Sequence, residues 1–122
     1  MTSFLIKQTG TRYDASPTAL KYNHSSEPLL LTSLLTARSF ENTCAIIFAN
    51  AAGGADTGDT FLGLSRVTLP IVGVVEAMGQ EEGVLVVEMD LRIAKVAEEM
   101  YRVREDLGRE GWHYTYRHKL NG

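Results

Sequence analysis

From Leu31 to Asn50 the chain reads LTSLLTARSFENTCAIIFAN, a helical pattern handed directly to an unbroken apolar run. Leu31, Leu34 and Leu35 recur at helical spacing and predict an apolar stripe along one side of a helix. Residues 44–49 (CAIIFA) form the short continuous run expected of a strand covered on both faces. At the join, Arg38 and Glu41 lie three apart on one helical face, where a guanidinium and a carboxylate can pair. Asn42 follows as a cap for the helix end. A helix feeding a doubly covered strand makes this an α/β chain, and the other elements have to be placed around that unit.

The helix start is marked by Ser25 or Ser26, then Glu27 and Pro28: a capping hydroxyl, an acid facing the helix dipole and proline in the first turn. Ahead of it, Phe4 to Ile6 can end a strand and Thr9 to Pro17 reads as loop, so residues 1–26 are expected as an irregular lead-in. Beyond the helix, Ala51 to Thr60 is a polar, glycine-containing loop, and Phe61 to Leu69 contains a strand stopped by Pro70. Val72 to Met78 and Val84 to Met89, joined by residues 79–83, read as a hairpin. Asp90 then caps a second helix, with Ile93, Val96, Ala97, Met100, Val103 and Leu107 on one face and Gly108 as its stop. Glu98 and Arg102 fall at the favourable i, i+4 spacing along it. Two helices against about four strands predict a two-layer unit over residues 27–107, followed by an aromatic and basic tail, residues 108–122.

Composition narrows the function. A chain of 122 residues forms at most one domain, and a net charge of -3 supplies no footprint for nucleic acid or anionic membrane. A single cysteine excludes an internal disulfide, and no apolar run reaches the length of a membrane span. A cytoplasmic setting follows as the default. His113 and His118 lie five apart, sharing a face on neither helix nor strand, and His24 has no visible partner, so no metal site is expected. Asp56 and Asp59 lack the alternating oxygens and distal Glu of a calcium loop, and Gly53-Gly54 is not followed by the Lys-Ser/Thr of a phosphate loop.

Set in order, Ala37-Arg38-Ser39-Phe40-Glu41-Asn42, the apolar strand ending in Asn50, Gly53-Gly54, Gly63-Leu64-Ser65 and Pro70 resemble the carbon–nitrogen hydrolase (nitrilase) superfamily. The stretch Glu81 to Leu91 is similar to the strand before that family's C-terminal helix, and the segment Tyr101 to Leu107 with its following Trp112-His113-Tyr114 resembles a fungal nitrilase and amidase-like branch. The resemblance runs from about Glu27 to the C-terminus. It implies the C-terminal half of a four-layer α-β-β-α sandwich, with about two helices on a four-stranded, mostly antiparallel or mixed sheet. Most of the second sheet would then come from sequence outside this chain.

The same resemblance implies hydrolysis of nitriles or amides to acids and ammonia through a Glu-Lys-Cys triad, with no cofactor. In the family those three groups precede the Arg-x-x-Glu-Asn helix, and no cysteine precedes Arg38 here. The chain is therefore expected to lack the triad and to be an inactive, truncated portion. Cys44 opens an apolar strand and reads as a small buried hydrophobe rather than a nucleophile. Arg38, Glu41 and Asn42 are expected as structural, with Asn50, Phe61 and Ser65 lining a pocket in the complete fold. The expected partners are a small nitrile or amide in complete homologues, and either further copies or a full-length homologue, the latter making this a non-catalytic interaction module. Trp112 to Leu120 has the aromatic and basic composition of an interface anchor.

Overall fold

A computed structural model describes residues 1–8, 17–53 and 62–110. In chain order these form β1 (Thr2–Gln8), α1 (Pro17–Tyr22), α2 (Ser26–Glu41), β2 (Ile46–Phe48), β3 (Arg66–Leu69), β4 (Gly73–Ala77), β5 (Gly83–Met89), α3 (Arg92–Tyr101) and α4 (Val103–Gly108). The α/β class holds. The lead-in is more ordered than its composition suggested, carrying a seven-residue strand and one short helix.

The strands divide into two antiparallel sheets, β1–β5 and β2–β3–β4. This corrects the expected hairpin, because β4 pairs with β3 and β5 pairs with β1. The reason lies in residues 79–83. The Gly79 carbonyl accepts the Leu64 N–H at 3.0 Å, and the Gln80 carbonyl accepts the Gly53 N–H at 2.9 Å. With its backbone groups engaged by neighbouring loops, that connection carries the chain from one sheet to the other instead of folding it back. The tight turn falls earlier, at residues 70–73, where Val72 N–H bonds the Pro70 carbonyl and Ile71 sits at φ 71°.

The two sheets bury one core between them. Ile6, Val87 and Met89 from β1–β5 meet Val67 and Leu69 from β3, and Phe4, Val75, Leu85 and Ile93 pack around them. Period-two alternation sends Arg66 and Thr68 to the other side of β3, and both are buried there as well. The helix α2 packs against β3 and β4. Its inward residues include Ser39 with half-buried Leu31 and Leu35, while Leu34, expected on the stripe, is 51% exposed. The layers thus run helix, sheet, sheet. A second sheet was expected to come mostly from outside the chain; β1 and β5, the latter read as part of the same sheet as β3, supply two strands of it. Along the outer face of β1–β5, Leu5 stands opposite Val86 and Lys7 opposite Val84, and Leu5, Val84 and Val86 are all more than half exposed.

The second helix departs from its periodicity. It stops at Tyr101, Arg102 adopts the left-handed conformation at φ 51°, and α4 resumes at Val103. Of the expected face, Ala97 is buried and Ile93 and Val103 half-buried, whereas Val96, Met100 and Leu107 are exposed.

Candidate functional site

The described polar network gathers at the C-terminal end of α2 and at the loops closing the β2–β3–β4 sheet. Arg38 Nη1 lies 3.3 Å from Glu41 Oε2, with both side chains more than half exposed, so the pair contributes only about 0.3–0.5 kcal/mol. Asn42 donates both its backbone N–H and its Nδ2 to the Arg38 carbonyl, closing the last turn. Thr43 then turns through φ 47°, and Ser39 Oγ donates to the Cys44 carbonyl at 2.7 Å. These bonds redirect the chain from the helix into β2. Cys44 is half-buried at that entry.

At the far end of β2, the Asn50 N–H donates to Ser65 Oγ at 2.9 Å and Asn50 Nδ2 donates to the Gly63 carbonyl at 3.0 Å. The Gly63 N–H reaches the Ala51 carbonyl, and the Met78 N–H reaches the Ser65 carbonyl, both at 2.7 Å. Asn50 and Ser65, matched in the sequence, are thus brought together, with Ser65 fully buried. Phe61 lies outside the described residues, as do Asp56, Asp59, His113, His118 and the segment Trp112 to Leu120. Gly63 has a specific reason to be glycine: at φ 61° a Cβ would stand 2.6 Å from the Gly79 carbonyl oxygen. Beside this network Arg66 is 9% exposed, its Nε donating to the Leu64 carbonyl at 2.9 Å, and burial pushes its pKa down.

A third constellation has no counterpart in the sequence reading. Glu98, expected to pair with Arg102, accepts instead from the Thr43 hydroxyl and, at 3.3 Å, from Arg104 Nε. Its two oxygens also receive the backbone N–H groups of Arg104 and Glu105 at the start of α4. The Thr43 hydroxyl holds the Glu98 carboxyl below the usual carboxylate range, helped by those α4 donors and opposed by partial burial. Arg102 turns to Glu105, 3.8 Å away. No local pattern announces this cluster, because Thr43 and Glu98 are far apart in sequence. Asp90 accepts the Arg92 N–H and guanidinium, which hold its carboxyl down to about 2. It therefore caps α3 from one position ahead of the assigned cap residue, Leu91.

Between α2, the β3–β4 turn and α3 lies a groove of about 360 Å³, lined by Thr36, Phe40, Tyr101 and residues 69–73. The Phe40 and Tyr101 rings meet edge to face at 4.9 Å. Among the described residues no group of three or more His, Cys, Asp or Glu side chains is placed to hold a metal ion.

A family model described as carbon-nitrogen hydrolase matches residues 5–98. The chain belongs to the carbon–nitrogen hydrolase family. Its matched region begins within β1 and ends at Glu98, so the family fold takes in both sheets, α2 and the first part of α3. The fold is similar to the crystal structure of a carbon-nitrogen hydrolase from Helicobacter pylori G27, with a TM-score of 0.60 and 20% sequence identity. That alignment covers 88% of this chain and 37% of the other, so the chain spans little more than a third of that hydrolase. No curated protein matches it by sequence. Among the described residues, no helix of this family member is long and apolar enough to cross a membrane.

Proposed function

We propose that this chain supplies scaffold of the nitrile- and amide-hydrolysing fold without its reactive groups, and that alone it does not turn over substrate. The observation that supports this is the setting of Cys44, the single cysteine of the sequence. It is half-buried at the mouth of a strand, and among the described residues no hydrogen bond joins its thiol to a carboxylate or a lysine amine. A nucleophilic cysteine needs a base to generate the thiolate and a donor to hold the developing oxyanion. In this reading Arg38, Glu41 and Asn42 turn the chain from helix to strand, while Asn50, Phe61 and Ser65 border the pocket of a complete family fold. The substrate class of that complete fold is a small nitrile or amide, its setting cytoplasmic, and its branch the fungal nitrilase and amidase-like one.

The test is an assay of the purified chain on aliphatic and aromatic nitriles and amides, following ammonia release. No turnover is expected. Turnover abolished by Cys44→Ala would make Cys44 the nucleophile and overturn the proposal, and turnover surviving that change would reveal a different one.

A second reading, a non-catalytic module that associates with a full-length homologue, is favoured by the exposed apolar row Leu5, Val84 and Val86 on the β1–β5 sheet. Co-expression with such a homologue, followed by mass measurement in solution, is expected to give a complex. A monodisperse monomer eluting apart from the homologue counts against it.

A further inference from the structure

We propose that α3 and α4 are two states of one helix, kinked at Arg102 when the Glu98 carboxylate is clamped to Thr43 and Arg104, and straight through residues 92–107 when that clamp opens. Three independent observations converge on it. The first is the break itself, which occurs where neither proline nor glycine stands: the junction reads Met100-Tyr101-Arg102-Val103. Sharp breaks are ordinarily caused by such residues or by an inserted group. Arg102 is instead held in the left-handed region, which costs an L-residue steric energy. Contacts elsewhere must supply what the local sequence does not.

The second observation is what those contacts are. In a straight helix the N–H groups of residues 103–105 would bond the carbonyls of residues 99–101. Breaking the helix at Arg102 orphans them. Glu98 Oε2 takes the Arg104 N–H at 3.4 Å and Oε1 takes the Glu105 N–H at 3.2 Å, so a side chain of α3 serves as the N-cap of α4. The same carboxylate accepts from Thr43, which is 1% exposed and itself left-handed at φ 47°. Arg104 Nε bridges both partners, 3.1 Å from Thr43 Oγ1 and 3.3 Å from Glu98 Oε2. One carboxylate thus ties the end of α2, the last turn of α3 and the first turn of α4 together.

The third observation is that the alternative state is already encoded. Val96, Met100, Val103 and Leu107 continue one apolar stripe through the break, and Glu98 and Arg102 lie at the spacing of a helical ion pair. The kink divides that stripe, with Val96 and Met100 exposed ahead of it and Leu107 exposed beyond it. Straightening restores it as a single surface and hands the Glu98 carboxylate to Arg102. The clamp therefore decides whether this end of the chain presents one continuous apolar face.

Nuclear magnetic resonance on the whole chain tests this. The intraresidue amide-to-α-proton NOE is strong for a residue at positive φ and weak for one in a right-handed helix. At Arg102 it is expected to be strong in the unaltered chain. In the double variant Glu98→Gln/Thr43→Val it is expected to be lost, with new helical NOEs linking residues 99–101 to 103–105. Retention of the strong NOE in that variant, or melting of residues 103–108 without helical continuity, overturns the proposal. Because the double variant can fail to fold, relaxation dispersion on the unaltered chain supplies a second reading. Exchange confined to residues 99–106 is expected, and Arg102→Gly, which removes the left-handed penalty, is expected to quench it. Exchange absent from the unaltered chain, or undiminished by Arg102→Gly, refutes a two-state helix.

Discussion

Replacing Gly63 by alanine tests how the loop network is built, and its effect can be worked from the structure. Gly63 is at φ 61°, and placing an L-residue in that region costs about 1–2 kcal/mol. The added Cβ would also stand 2.6 Å from the Gly79 carbonyl oxygen and 2.9 Å from Gln80 Cα. Both are backbone atoms whose retreat disturbs the Leu64 N–H to Gly79 carbonyl bond. Overpacking of this kind costs about 1–3 kcal/mol, so Gly63→Ala is expected to destabilise by about 2–5 kcal/mol in all. That is a large share of the roughly 5–15 kcal/mol that holds a domain folded. Gly79→Ala is the matched control, because a Cβ there meets nothing within 4 Å. It is expected to be neutral or to stabilise by about 0.4–1 kcal/mol, since alanine narrows the unfolded ensemble. Pulse proteolysis across a urea series, at protein concentrations low enough to avoid association, reads both variants. Equal midpoints for the two would refute the account of Gly63 as a close backbone crossing.

Other substitutions probe the remaining features. Ser65→Ala strips the acceptor from the Asn50 N–H and is expected to cost about 1–3 kcal/mol in the same assay; a cost below half of the lower figure would show water or another group replacing it. On the outer sheet face, Leu5→Lys/Val86→Lys is expected to lower binding of an apolar-surface dye and raise solubility with little loss of stability, because both side chains are more than 60% exposed; unchanged dye binding would place the exposed apolar surface elsewhere. Asp90 is depressed to about 2 by Arg92, so its support of α3 is complete above the unfolded carboxyl value of about 3.9 and is lost as pH falls through about 2. The Arg92 amide shift is expected to titrate near the lower figure; a midpoint near the ordinary aspartate value would mean that the ion pair does not form in solution.

The α2–β2 hand-over was legible because its signals are local. A proline-acid start, the three-residue spacing of Arg38 and Glu41 and the apolar run at residues 44–49 each act within one or two turns of chain. The helix from Ser26 to Glu41 and the Arg38–Glu41 contact follow that reading. Neither Ser25 nor Ser26 caps the helix through its hydroxyl, however, and β2 is three residues long with Ile47 41% exposed rather than covered on both faces. Asn50 and Ser65 were offered by the motif order only as pocket-lining positions, and the hydrogen bond between them had no signal in either residue. The clamp at Glu98 was not legible at all. Glu98 has a plausible partner four residues away in Arg102, and periodicity cannot reveal that Thr43 competes for it across the fold.

Strand pairing shows the same division most clearly. Val84 to Met89 advertises a strand through its own alternation, but its partner is chosen by which backbone groups remain free when the loops have closed. Gly79 and Gln80 are committed to Leu64 and Gly53, which removes the hairpin and leaves β5 to meet β1 from the far end of the chain. Local pattern by itself determined that helices and strands exist and roughly where they lie, and the order of motifs carried the family resemblance. Only the tertiary structure decided which strands share a sheet, where the last helix breaks and which carboxylate holds the break. Those outcomes depend on competition between distant partners for the same hydrogen bonds, and such competition has no signature in short-range pattern.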